Sequence, residues 1–168
     1  FLRRSQYHQL GRITDVEIAN AFRKTVEAGG RSITPEALED AVKAVDGFPY
    51  MMQLVGYRTW DVSENSPQIS TSDVQQGSLL ARMELRDRIL ETTYRELSDK
   101  DIEFLLAMLA DSGPSRVSEI AKRMGVASNY ASQYKRRLLE DGVIGERGRG
   151  LVGFDIPAFR EFLNEKAF

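Results

Sequence analysis

Residues 129–157, NYASQYKRRLLEDGVIGERGRGLVGFDIP, constrain the fold of this chain more than any other stretch. A cationic helix is predicted to stop at Gly142. Two short apolar runs, VIGER and LVGFDI, then flank the turn Gly148-Arg149-Gly150 and read as a hairpin. Upstream, Ser98 caps DKDIEFLLAMLADSG, with Ile102, Leu105, Leu106 and Leu109 expected to face inward. PSRVS, bounded by Pro114, allows one brief strand. VSEIAKRMGV is a two-turn helix closed by Gly125, and PAFREFLNEKAF a terminal helix. Helix, short strand, helix, tight turn, helix and hairpin is the order of a winged helix-turn-helix.

A helix about 10–12 Å across fits the DNA major groove, with its N-terminal half nearest the base edges. Here that half offers Ser128, Asn129, Tyr130, Ser132 and Gln133, all able to hydrogen-bond. Lys135, Arg136 and Arg137 follow, where phosphate contact is more natural. Ala131, Tyr134 or Lys135, and Leu138 should face the core. Arg147 and Arg149 are expected at the wing tip, where Gly148 and Gly150 permit a tight turn and close approach. Residues 112–139 hold six cations against one acid, in a chain whose net charge is −2, so any nucleic-acid face must be local. Solvated cations are common on helices, and winged helices also serve as protein-docking modules.

The front of the chain reads as helices. Thr14 and Glu17 form a capping box for DVEIANAFRKTVEAGG, with Val16, Ala19, Phe22 and Val26 on one face. Thr34 and Pro35 open TPEALEDAVKAVDG, whose apolar face is Ala37, Leu38, Ala41, Val42 and Val45. PYMMQLVGYRTWDV, nearly apolar all round, is predicted to be a buried helix. SENSPQIS reads as a loop. From Ser72 to Glu96 the pattern is one long helix, or two broken near Gly77, with an apolar stripe of Leu80, Met83, Leu85, Ile89 and Leu90. The expected organisation is a helical lid-type domain over 1–71, a connector helix over 72–96 and a winged helix over 97–168. The fold class is therefore mainly α, a small helical bundle followed by a winged helix with a short β-hairpin wing.

The ordered set of motifs resembles the C-terminal part of prokaryotic AAA+/STAND-type ATPases, relatives of archaeal origin-recognition initiators. YHQLGRITDVEIANAF looks like the segment that opens their helical lid. ITPEALEDAVKAVDGFPYMMQLVGYRTWD looks like the lid helices with a Gly-x-Pro corner, and the rest like their winged helix. The resemblance implies that Gly47 and Pro49 lie against bound nucleotide in the intact protein. Initiator-like relatives often carry a sensor arginine just after this corner, where this chain has Tyr50; Tyr50 and Arg58 are its candidate contacts. It further implies ATP and Mg²⁺ in an intact parent, and as partners the parent's own N-terminal ATPase core and double-stranded DNA.

Several classes are excluded or disfavoured. At 168 residues there is room for one medium domain or two small ones. No apolar run can span a bilayer, so no membrane partner is expected. With no cysteine, disulfides and thiolate metal sites are excluded and the cytoplasm is the expected compartment. His8 is the only histidine, so a histidine triad has little to work with. The acids Asp99, Asp101 and Glu103 suit a helix start better than catalysis. There is no G-x-x-x-x-G-K-[ST], and GERGRG lies within the hairpin instead of between a strand and a helix. The chain, which starts at Phe1, is expected to be a non-catalytic fragment, with no cofactor of its own, of an ATP-hydrolysing parent. Two alternatives stand beside that reading: a stand-alone winged-helix transcription regulator, and a winged helix used to bind a protein partner.

Overall fold

The computed structural model describes residues 12–167; His8 and the first residues of the lid-like segment lie outside them. The chain is mainly helical, and it divides into two compact units, one ending at Leu85 and the other beginning at Arg86.

The first unit contains α1 (Asp15–Ala28), β1 (Ser32–Ile33), α2 (Pro35–Val45), α3 (Pro49–Val62), β2 (Gln68–Ile69) and α4 (Thr71–Leu85). Its helix starts follow local chemistry. The Thr14 hydroxyl accepts from Glu17 N, and the Glu17 carboxylate accepts from Thr14 N at 2.9 Å. The Thr34 hydroxyl accepts from Ala37 N. Ser70 and Asp73 repeat the reciprocal arrangement ahead of α4. The two-residue strands β1 and β2, too short to leave a periodic pattern, pair in parallel with Ile33 opposite Ile69. They lie immediately before α2 and α4, and so join the starts of those helices. Arg31 closes the far end of α3: its guanidinium stacks on Trp60 at 3.9 Å and donates to the carbonyls of Trp60, Ser63 and Glu64.

The buried faces differ from those expected. On α1 the core face is Ile18, Phe22 and Val26, while Val16 is 70% exposed. Helix α3 is not buried all round; Met51, Leu54, Val55 and Thr59 face inward, but Tyr57 is 61% exposed. Helix α4 runs unbroken through Gly77, burying Val74, Gly77, Ser78, Ala81 and Leu85 and leaving Met83 outside. The reason is close packing. A Cβ at Gly77 would stand 2.6 Å from both the N and Cα of Thr59, so the backbones of α3 and α4 touch there. The segment expected as a connector is thus divided: 71–85 packs within the first unit, and 86–96 belongs to the second.

The second unit begins with a π-helical stretch, Arg86–Leu90, and α5 (Glu91–Glu96). The winged-helix elements follow in the expected order: α6 (Asp99–Met108), β3 (Ser115–Arg116), α7 (Val117–Arg123), α8 (Ser128–Glu140), β4 (Ile144–Glu146) and β5 (Leu151–Phe154), then α9 (Phe159–Ala167). The sheet is antiparallel with order β3-β5-β4. Helix α6 turns inward Phe104, Leu105 and Met108, not Ile102, Leu106 and Leu109. Ile120, Leu138, Ile144, Phe159 and Phe162 of the other elements are buried as well and complete the core of this unit. Helix α9 is held against the start of the unit by Arg86–Glu165 at 2.6 Å and Lys166–Glu91 at 3.0 Å.

One surface pair makes this unit acid-sensitive. Arg123 of α7 grips Asp111 with both terminal guanidinium nitrogens, each at 2.7 Å. That grip, helped by the Ser115 hydroxyl, lowers the Asp111 pKa to about 2. A carboxylate depressed on folding stabilises the native state above its unfolded pKa of about 3.9, and the contribution is lost as pH falls from there to about 2. Thermal melts of the wild type and Asp111→Asn should therefore converge between pH 4 and pH 2. A constant gap between them across that window would show that the pair contributes nothing.

Candidate nucleic-acid interface

Helix α8 buries Ala131 and Leu138, and that anchoring sets its outer face. All five predicted base-side residues, Ser128, Asn129, Tyr130, Ser132 and Gln133, are exposed. Their hydrogen-bonding capacities are unequal. Asn129 Oδ1 accepts from Tyr130 N at 2.9 Å, which leaves the amide NH₂ to face outward. The Ser132 hydroxyl donates to Ser128 O at 2.8 Å, so only its lone pairs remain for a ligand. Gln133 has neither constraint. Tyr130 packs edge-on against Tyr134 with ring centroids 5.2 Å apart, which fixes the aromatic pair at the helix start.

The cations divide sharply. Arg137 reaches across to α6, where it donates to Asp101 and, at 2.9 Å, to the Ser98 hydroxyl. It thereby adds a counter-charge to the capping box that Ser98 and Asp101 already form, whose carboxylate is buried. Lys135 is paired with Glu146 of β4 at 2.7 Å, tying the helix to the wing. Arg136 is 78% exposed and has only a loose contact, 3.7 Å, with Glu140. Of the three helix cations, Arg136 alone is available to a phosphate.

The wing keeps the expected tip but uses its two arginines differently. Gly148 and Gly150 have φ of 121° and 73°, backbone that side chains rarely adopt, and they do form the tip. Arg147, however, folds back over the hairpin. Gly145 and Gly153 face each other across β4 and β5, and Arg147 lies over them with its guanidinium on Asp155 and the Phe154 carbonyl. A Cβ at Gly145 would stand 2.6 Å from Arg147 Nη1, and one at Gly153 3.2 Å from its Cγ. Arg147 therefore clips the two strands, and Arg149 is the cation left at the tip, without a polar partner among the described residues.

Arg116 was not among the expected contacts. It is exposed on β3 opposite Leu151, and the next residue's N–H donates to the Gly150 carbonyl at 3.0 Å, which sets Arg116 beside the wing tip. It was already one of the cations in the positive segment; its place next to the tip depends on a pairing 35 residues away in sequence. The charge imbalance of that segment is also narrower than the window suggested. Extending it to 111–141 adds Asp111, Glu140 and Asp141, making six cations against four acids, and the structure pairs Arg123 with the first and Lys122 with Glu119.

In the first unit, the Gly47-Phe48-Pro49 corner is tightly made. Gly47 has φ of 72° and accepts from Ile13 N, and a Cβ there would come within 3.2 Å of Arg12. Tyr50, just past Pro49, is 38% exposed. Arg58 of α3 is held by Glu84 of α4 through Nε at 2.9 Å and Nη2 at 2.7 Å, so its guanidinium is turned against α4. Glu84 raises the Arg58 pKa through that hydrogen bond. No group of acids and histidines among the described residues could hold a metal ion. No described helix is long and apolar enough to cross a membrane.

No curated protein matches the chain. Solved structures of Thermotoga maritima RuvB, one titled a Holliday junction branch migration motor, are similar at 19% identity with a TM-score of 0.41. The similarity covers 92% of this chain and 50% of RuvB, so the chain spans about half that protein's length. A mutant of the same protein gives 18% identity, coverage of 90% and 48%, and a TM-score of 0.40. Residues 87–163, most of the second unit, match the model of a family described as a domain of unknown function (DUF8462).

Proposed function

We propose that the second unit docks on double-stranded DNA through the outer face of α8 and the wing tip. The observation that carries this reading is the continuity of the row Asn129, Gln133 and Arg136 on one helical face. Arg116 and Arg149, neither with a polar partner among the described residues, add charge at the wing. The amides face base edges and the three arginines face phosphates. A winged helix used to bind protein is the second reading, and the pairing of Lys122, Arg123, Lys135 and Arg137 with acids favours it.

One experiment separates the two. Binding to mixed-sequence duplex is measured across a salt series for the wild type and for Arg116→Ala/Arg136→Ala/Arg149→Ala. Each lost phosphate contact should flatten the log–log salt slope by about 0.9. A loss approaching three such steps, with an unchanged melting temperature, supports the DNA face. Absence of wild-type binding at low salt leaves the protein-docking reading.

For the first unit we propose the role of a lid in a AAA+/STAND-type ATPase, the winged helix being its C-terminal appendage. Nucleotide and Mg²⁺ would be held by a nucleotide-binding core, and this chain would add the Gly47–Tyr50 corner. Two features support that reading: the ordered motifs, and an apolar groove of about 230 Å³ between α1 and α3, lined by Phe22, Met52, Gly56 and Tyr57. Arg58 is less suited than Tyr50 to a nucleotide contact, because Glu84 already holds its guanidinium through two nitrogens.

A further inference from the structure

The cleft between α2 and α4 in the first unit has no part in these readings. It is open, encloses about 400 Å³, and has Lys43 and Asp40 on one wall and Gln75, Leu79 and Arg82 on the other. Arg82 makes no hydrogen bond or ion pair with another described residue. Lys43 has only Asp40, one turn back on its own helix at 3.7 Å. The cleft therefore carries two weakly committed cations and one acid. Ser78 closes the floor; its hydroxyl lacks a partner but is sealed from solvent, so the groups that can meet a ligand are Lys43, Arg82 and the Gln75 amide. Beside them Leu79 is 58% exposed, and Met83, one turn on, is 55% exposed. Neither belongs to the buried stripe of α4.

We propose that this cleft docks an acidic amphipathic helix of a partner protein, with one carboxylate between Lys43 and Arg82 and an apolar side chain on Leu79 and Met83. A net local charge of one suits a single carboxylate better than a dianionic phosphate, and a guanidinium can donate to a carboxylate through two nitrogens. The apolar pair on the next turn asks for a ligand whose acidic and apolar residues also lie one turn apart, as on a helix. The cleft is open enough to admit a helix side-on. Duplex DNA fits poorly, because Asp40 would oppose its backbone and Leu79 and Met83 would stay uncovered.

The test uses the isotope-labelled 168-residue chain and a helical peptide about 20 residues long, a length at which isolated helices persist in water, with Glu and Leu three residues apart. Amide shift changes confined to α2 and α4 are expected. Lys43→Ala/Arg82→Ala should weaken binding by about tenfold, as two partly exposed charge contacts allow. The melting temperature and affinity for duplex DNA should not change, so failure here is distinct from failure of the DNA reading. Equal binding of a peptide with Gln for Glu would overturn the proposal. So would shifts on other helices, the same shifts with inorganic phosphate alone, or no shifts at all.

Discussion

Replacing Gly77 by valine is expected to unfold the first unit, or to lower its melting temperature more than any other single change considered. The Cβ would lie 2.6 Å from the Thr59 backbone, where no side chain can move aside, and the two γ-methyls would add to the conflict. Overpacking typically costs about 1–3 kcal/mol and more where backbone must separate. Alanine is the informative companion. Its better helix propensity returns about 1 kcal/mol, so a net loss of roughly 1–2 kcal/mol is expected. For a unit of this size that corresponds to about 4–15 °C. Gly56→Ala, on the facing helix, is the control: its Cβ would meet only the Phe22 ring at an ordinary 3.8 Å, so the same propensity gain should leave it neutral or slightly stabilising. If Gly77→Ala behaves like Gly56→Ala, α3 and α4 do not touch as described.

The second large effect concerns Arg137, which pattern alone assigned to DNA. Arg137→Ala should destabilise the second unit by about 2 kcal/mol, because the buried Asp101 carboxylate keeps Ser98 but loses its counter-charge. The figure sits below that for fully buried pairs because the arginine is half exposed. Thermal melts of Arg137→Ala, Asp101→Asn and the double variant measure the coupling, and the double should be less destabilised than the sum. A melting temperature that does not move, together with weaker DNA binding, would return Arg137 to the interface. The point is practical: substituting Arg137 along with Arg136 and Arg149 would confuse lost folding with lost contact, which is why Arg116 takes its place in the salt series.

The legible parts of this molecule were local in origin. Caps such as Thr14/Glu17 and Ser98, Pro35 at a helix start and the glycines at the wing tip act within a few residues, and each is visible as a short motif. Which face of a helix is buried was less legible. Counting apolar residues favoured Met83 and Leu80 on α4, yet the contact with α3 runs through Gly77, Ser78 and Ala81, where small size lets backbones meet. The site suffered most. Whether a cation is free depends on acids distant in sequence: Asp101 lies 36 residues from Arg137, and Glu146 11 from Lys135. Asp111, the partner of Arg123, stood one residue outside the window that made the segment look so positive.

The clipped hairpin has a consequence for how binding would be felt. Arg147 is laid over Gly145 and Gly153 and fastened to Asp155, while the Gly148 and Gly150 carbonyls accept from Leu151 N and Val117 N, so the wing is braced from its strands to its tip. A surface already held in one shape loses little conformational entropy when it meets a partner. Contact at Arg149 should thus come with a small ordering penalty, the wing acting as a stiff stylus and not as an arm that must first be tamed.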